Sequence, residues 1–209
     1  MLEAATNLDL ANSDSIVQIT TGNAEDYYHH ANVKYYELQD VPGSLADYDR
    51  AIELDPNHAL AYSNRGNIKK DRLQDYQGAL NDYDFALSLN PHDPVTYYNR
   101  ALLKNIKQDY QGSLADYDRA IELADDDADS YNNRAMLKYL ELEDLVGAIE
   151  DMQIARSLYQ QQGDDARATQ AIDLIARFQL KIDSSGLQVD FLKAQSIAED
   201  RSINIEISE

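Results

Sequence analysis

Four glycines, Gly43, Gly78, Gly112 and Gly147, recur at intervals of 35, 34 and 35 residues, and this period constrains the chain more than any other feature. Self-similarity on this scale means a stack of like supersecondary units, none able to bury its apolar face alone. The same local sequence surrounds each glycine. An aspartate stands three residues before it (Asp40, Asp75, Asp109, Asp144), where a helix N-cap belongs. Asp47-Tyr48, Asp82-Tyr83, Asp116-Tyr117 and Asp151-Met152 follow, then Ala51, Ala86, Ala120 and Ala155. Pro42 falls in a first turn, where a missing N–H costs nothing. Asp55-Pro56 and Asn90-Pro91 break the first two of these helices. Upstream, Tyr27, Tyr62, Tyr97 and Tyr131 precede Ala31, Gly66, Ala101 and Ala135 by four residues, with Lys34, Lys69, Lys104 and Lys138 beyond. Aromatic and small residues four apart share one helical face. Each unit therefore reads as helix, tight turn, helix, with small residues letting the helices approach and Tyr and Leu filling the layer between. A glycine inside a helix costs about 1 kcal/mol against alanine. Its fourfold recurrence points either to close backbone packing or to a relaxed first turn.

A 34–35-residue period with this pattern resembles the tetratricopeptide repeat family. The resemblance spans residues 24–163 as four units (24–58, 59–93, 94–127, 128–163) and implies an all-α, right-handed superhelix of helix-turn-helix repeats. Residues 164–182 are expected to cap the stack, presenting Ala168, Ala171, Ile172, Ile175, Phe178 and Ile182 as an apolar stripe. Residues 1–23 read as a disordered polar leader. Residues 183–209 read as a tail whose Leu187, Val189, Phe191 and Leu192 are apolar enough to dock.

Composition narrows the function. The absence of cysteine excludes disulfides and thiolate metal sites and suits a reducing, cytoplasmic setting. No segment approaches the ~18 apolar residues of a membrane span. A net charge of −20 disfavours nucleic acids and anionic membranes, and serves either a basic partner or solubility alone. The alternating Asp125, Asp127 and Asp129 imitate a calcium loop, but Ser130 stands where glycine is needed and Met136 where the closing Glu should be. An acidic capped turn is the better reading. No HExxH, phosphate-cradling loop or nucleophile–His arrangement is present, so neither catalysis, metal nor cofactor is expected.

In this family the first helix of each unit lines the concave side, which implies a groove built from the helix face that lacks the Tyr/Ala stripe. The candidate binding residues are Tyr28, Asn32 and Tyr35, then Ser63, Asn64, Asn67 and Lys70, then Tyr98, Asn99 and Leu102, then Asn132, Asn133, Met136 and Tyr139. The set is aromatic, amide-rich and nearly uncharged, which suits a peptide with apolar anchors; the tyrosines serve equally well as padding between helices. Asn64, Asn99 and Asn133 suit either a peptide main chain or helix-to-helix hydrogen bonds. Arg65, Arg100 and Arg134, with His30 in the first unit, are expected to meet Asp47, Asp82, Asp116 or Asp151 in a structural ladder. The positions matching the family's carboxylate clamp read Tyr28, Asn32, Asn64, Val95 and Asn99, so its three cations are missing. The expected role is a scaffold, adaptor or assembly factor that captures a peptide segment of another protein. Alternatives are a self-associating or tail-inhibited module, with a homo-oligomer left open, and a non-catalytic targeting subunit.

Overall fold

The computed structural model describes residues 22–185. The expected leader, apart from Gly22 and Asn23, and the tail beyond Ser185 lie outside the described residues. Among those described the chain is all-α, without strands: α1 (Ala24–Tyr36), α2 (Val41–Leu54), α3 (Ala59–Asp71), α4 (Tyr76–Leu89), α5 (Pro94–Ile106), α6 (Tyr110–Leu123), α7 (Ala128–Leu140), α8 (Leu145–Gln161) and α9 (Asp165–Ser185). Helix-turn-helix pairs follow one another as the period requires. The chain divides into two compact units after Leu103, inside α5.

One turn chemistry serves every pair. The residue before each capping aspartate is left-handed: Gln39, Gln74 and Glu143 at φ 54° and Gln108 at φ 63°. The aspartate's N–H then donates back to the carbonyl of Lys34, Lys69, Lys104 or Lys138 at 2.8–3.0 Å. Its carboxylate in turn accepts from the glycine N–H, at 3.0 Å for Asp40 and 2.9 Å for Asp75. Asp109 and Asp144 do the same at 3.0 and 2.9 Å. This cap explains the glycines. A Cβ at Gly43, Gly78, Gly112 or Gly147 would lie 2.0–2.3 Å from the capping carboxylate, and no neighbouring helix comes as near. The recurrence serves the cap, which corrects the expectation of close helix packing there. The α5–α6 turn is one residue shorter than the other three, which accounts for the single 34-residue interval.

The first unit buries Ala31, Tyr48, Ala51, Ala61 and Ile68 in one cluster and Ala79, Tyr83 and Leu103 in another. Gly66 is the position where two helices do meet closely. A Cβ on it would stand 2.9 Å from the Tyr83 ring and 3.3 Å from the Ala79 carbonyl. The second unit buries Ile121, Ala128, Tyr131, Ala155, Tyr159 and Ala168 together. A further cluster there joins Ala135, Ala148, Ile149 and Met152 to Ala171, Phe178 and Ile182 of α9. α9 runs from Asp165 to Ser185. The acidic linker is a capped turn, Asp127 accepting from Asp129 N at 3.3 Å and from Ser130 Oγ at 2.5 Å.

Two substitutions should move stability in opposite directions. Gly66→Val drives two methyls into Tyr83 and should cost about 1–3 kcal/mol. Gln74→Gly relieves a left-handed side chain and should gain a few tenths to about 1 kcal/mol, the unfolded-state entropy of glycine offsetting part of the relief. Urea unfolding of the two variants measures both.

Candidate peptide-binding face

Beneath the candidate face lies a ladder of buried charge. Arg65 grips Asp82 bidentately, Nη2 to Oδ1 at 2.6 Å and Nε to Oδ2 at 2.9 Å. Its Nη1 reaches Asp49 on the preceding helix pair at 2.7 Å. Arg134 repeats this with Asp151 at 2.6 and 2.8 Å and Asp118 at 2.7 Å. Arg100 meets Asp84 at 2.7 Å. Each of these guanidiniums also lies over the tyrosine three residues before it, 5.3–5.5 Å from the ring centroids of Tyr62, Tyr97 and Tyr131. The lysine of each first helix adds a second cation: Lys34–Asp47, Lys69–Asp82, Lys104–Asp116 and Lys138–Asp151, at 2.7–2.8 Å. In the first unit His30 takes the arginine's place, its Nδ1 2.5 Å from Asp47 Oδ2. Burial works against the charge on Arg65 and Arg134, but the hydrogen bonds and charges of their aspartates outweigh it, so both guanidiniums are held above their ordinary pKa.

Asp49, Asp84 and Asp118 are partners that reading the sequence by unit missed. The signal was present. Asp-Tyr-Asp stands in the first three units, whereas the fourth reads Asp151-Met152-Gln153. The second aspartate serves the arginine of the following unit.

Above the ladder the first unit brings several predicted residues together. Asn64 Nδ2 donates to Asn32 Oδ1 at 3.0 Å and to the Tyr28 hydroxyl at 3.3 Å. The Tyr48 hydroxyl donates to the same Asn32 oxygen, and the Tyr83 hydroxyl donates to Asn67 Oδ1 at 2.7 Å. Tyr28 also packs 4.9 Å from the His58 ring, and Tyr35 meets Tyr36 edge-on under Arg72. Ser63 turns inward, buried and 2.6 Å from Thr96 Oγ1. Lys70 is buried as well, its Nζ 3.2 Å from Asp71. Tyr98, Asn99 and Leu102 are half-buried along α5. Of the first unit's two series asparagines, Asn64 is committed to its neighbours, whereas Asn99 has no side-chain partner among the described residues.

In the second unit Asn132 Nδ2 points to Asn133 Oδ1 at 3.5 Å. Met136 and Tyr139 pack against the α9 cluster. The Tyr139 ring stacks on Phe178 with centroids 4.1 Å apart, and Lys181 Nζ lies 4.6 Å from it. Met136 and Tyr139, assigned to the groove by their helical face, are thus partly covered by the helix that follows the fourth pair. Among the described residues no group of three or more His, Asp or Glu is arranged to hold a metal, and no helix is long and apolar enough to cross a membrane.

Residues 34–71 match the family model described as a TPR repeat. The fold is similar to that of the MamA protein (TM-score 0.64, 19% identity, covering 89% of this chain and 97% of that one). It is also similar to YrrB, a TPR protein with an unusual peptide-binding site (TM-score 0.56, 20% identity, 79% and 91%). A third likeness is to the first TPR of Spaghetti (RPAP3) bound to the HSP90 peptide SRMEEVD (TM-score 0.53, 20% identity, 59% and 96%). No curated protein matches the chain. The matched repeat, the period and the helix pairs give the described residues a fold of the tetratricopeptide-repeat type. At these identities the structural likenesses are likenesses of fold.

Removing a rung's central acid should leave half-buried Lys69 without its partner and Arg65 with Asp49 alone. Asp82→Ala is expected to cost about 3–5 kcal/mol, against less than about 1 kcal/mol for Asp49→Ala at the exposed end, in chemical denaturation. Burial also raises the Tyr48 and Tyr83 hydroxyls above their ordinary range. Their contribution is therefore complete below the unfolded-state value of about 10 and is lost as pH rises past it. Phenolate absorbance should appear in two stages, the second coincident with loss of helicity.

Proposed function

We propose that this chain is a protein-interaction scaffold or adaptor that captures a peptide segment of another protein on the face of α1, α3 and α5. The observation that carries the reading is the contrast along that face. Its amides are held in place by Tyr28, Tyr48 and Tyr83, while Asn99, beside half-buried Tyr98 and Leu102, keeps its donors and acceptor for a ligand. Preorganised amides suit an extended main chain, and the flanking tyrosines suit apolar side chains. The ladder engages Arg65, Arg100 and Arg134, so these three are not left on the described face to select an acidic ligand. The tetratricopeptide-type fold and the matched repeat support a binding role over a catalytic one. The peptide ligand in the RPAP3 structure is acidic, but the clamp positions here are Tyr28, Asn32, Asn64, Val95 and Asn99, so the ligand of this chain is of a different, apolar-anchored kind. A protein surface is the partner class the face fits, with nucleic acid and membrane disfavoured by the charge of −20.

Tyr98→Ala combined with Asn99→Ala should abolish recovery of the partner in affinity capture while helical content is retained. Capture by wild type should change little between low and high salt, because the face is nearly uncharged. Undiminished capture by the double variant would sink the assignment.

A further inference from the structure

The first helices of the four pairs share a cap position, and one of them fills it with an imidazole. Asn23, Asp93 and Asp127 each accept from a first-turn N–H of α1, α5 and α7. Amide and carboxylate oxygens keep that capacity through the neutral and mildly acidic range. At the start of α3 the cap is His58, a residue outside the usual capping set. Its Nδ1 accepts from the Ala61 N–H at 3.3 Å, a donor shared with the His58 carbonyl at 3.1 Å. A backbone N–H can only donate, so Nδ1 is bare and the proton of the neutral ring sits on Nε2.

His58 is 9% exposed, and its Nε2 has no hydrogen-bond partner among the described residues. Glu25 Oε2 on α1 faces it from 3.3 Å without closing a bond, while Glu25 Oε1 stands 2.9 Å from His29 Nε2. From the α2–α3 turn, the Asp55 carbonyl accepts from the His58 N–H at 3.1 Å. The Asp55 carboxylate accepts instead from the Asn57 N–H at 3.0 Å. The Tyr28 ring packs on both imidazoles, 4.9 Å from His58 and 5.3 Å from His29, and its hydroxyl accepts from Asn64. One tyrosine thus joins the cap of α3 to the amides of the candidate face.

A second proton on His58 must enter at Nδ1. There it points at the Ala61 N–H, two donors meet, and the cap is lost. The same proton gives the ring a full charge, for which Glu25 is the facing carboxylate. Protonation therefore exchanges Ala61 for Glu25 and draws the ring from α3 toward α1, where Tyr28 packs against it.

We propose that His58 is a positioning residue operated by a proton. Neutral, it caps α3 and holds Tyr28, and through it Asn64, in the arrangement the face presents. Protonated, it turns to Glu25 and the Tyr28–Asn64 contact opens. Resting on the peptide-binding reading of that face, this makes capture weaker in acid.

Nuclear magnetic resonance of the full-length protein tests the contact, followed from about pH 8 to about pH 5, the range in which an imidazole changes charge. At the upper end His58 should show the Nε2–H tautomer. The Ala61 backbone and Asn64 side-chain amide signals should then move with the His58 titration at one shared midpoint. His58→Asn, which caps without titrating, should hold both signals still, whereas His29→Gln and His30→Gln should leave their movement in place. A proton on Nδ1 at the upper end, amide signals that ignore the His58 titration, or signals that still move in His58→Asn each overturn the proposal. These signals are read without a ligand, so the outcome is decided separately from the capture experiment on Tyr98 and Asn99, which tests the face itself.

Discussion

A buried carboxylate held by two cations is the interaction on which the rest of the structure depends. Asp82 is 4% exposed and Asp151 3%, and an unpaired charge so placed would cost several kcal/mol. An arginine and a lysine one helical turn apart on the facing helix meet that cost in both rungs. The arginine's second bond, to an aspartate of the preceding helix pair, ties one repeat to the next. A buried charge set of this kind specifies more than it stabilises. A slip of the first helix by one residue would strand both cations, so the ladder fixes the register of each pair. Apolar packing alone, with alanine and tyrosine recurring on every helix, would tolerate neighbouring registers better.

Much of this was legible in the residues because the same problem is solved four times. The glycine period gave the helix count of each unit, the aspartates gave the caps, and the Arg and Asp series gave the ladder. What escaped was information that belongs to neighbours. The glycines looked like packing residues, since their function depends on the rotamer of a side chain three positions earlier. Asp49, Asp84 and Asp118 had no partner within their own unit, so a unit-by-unit reading left them as solvent-facing charge. Ser63 shares its helical position with Tyr28 and Tyr98, yet its short side chain reaches Thr96 instead of the open face. Met136 and Tyr139 are likewise covered by a helix whose placement the period does not encode.

The same economy shapes the candidate face. Conserving one helix pair across the chain leaves few positions free to differ, and function must be written in those. Asn64, fixed between Tyr28 and Asn32, belongs as much to the scaffold as to recognition. Asn99 keeps its hydrogen-bonding capacity. The ladder and caps define the frame, and a fold alone does not specify a ligand.

The claim that the rung couples the helices is tested most directly by a double-mutant cycle on Arg134 and Asp151, using Arg134→Met, Asp151→Leu and the pair, with unfolding free energies read in urea. A coupling of about 1–3 kcal/mol is expected, the double variant losing less than the sum of the single losses. A coupling indistinguishable from zero would mean that the buried charges are passengers in a stack held by apolar packing alone.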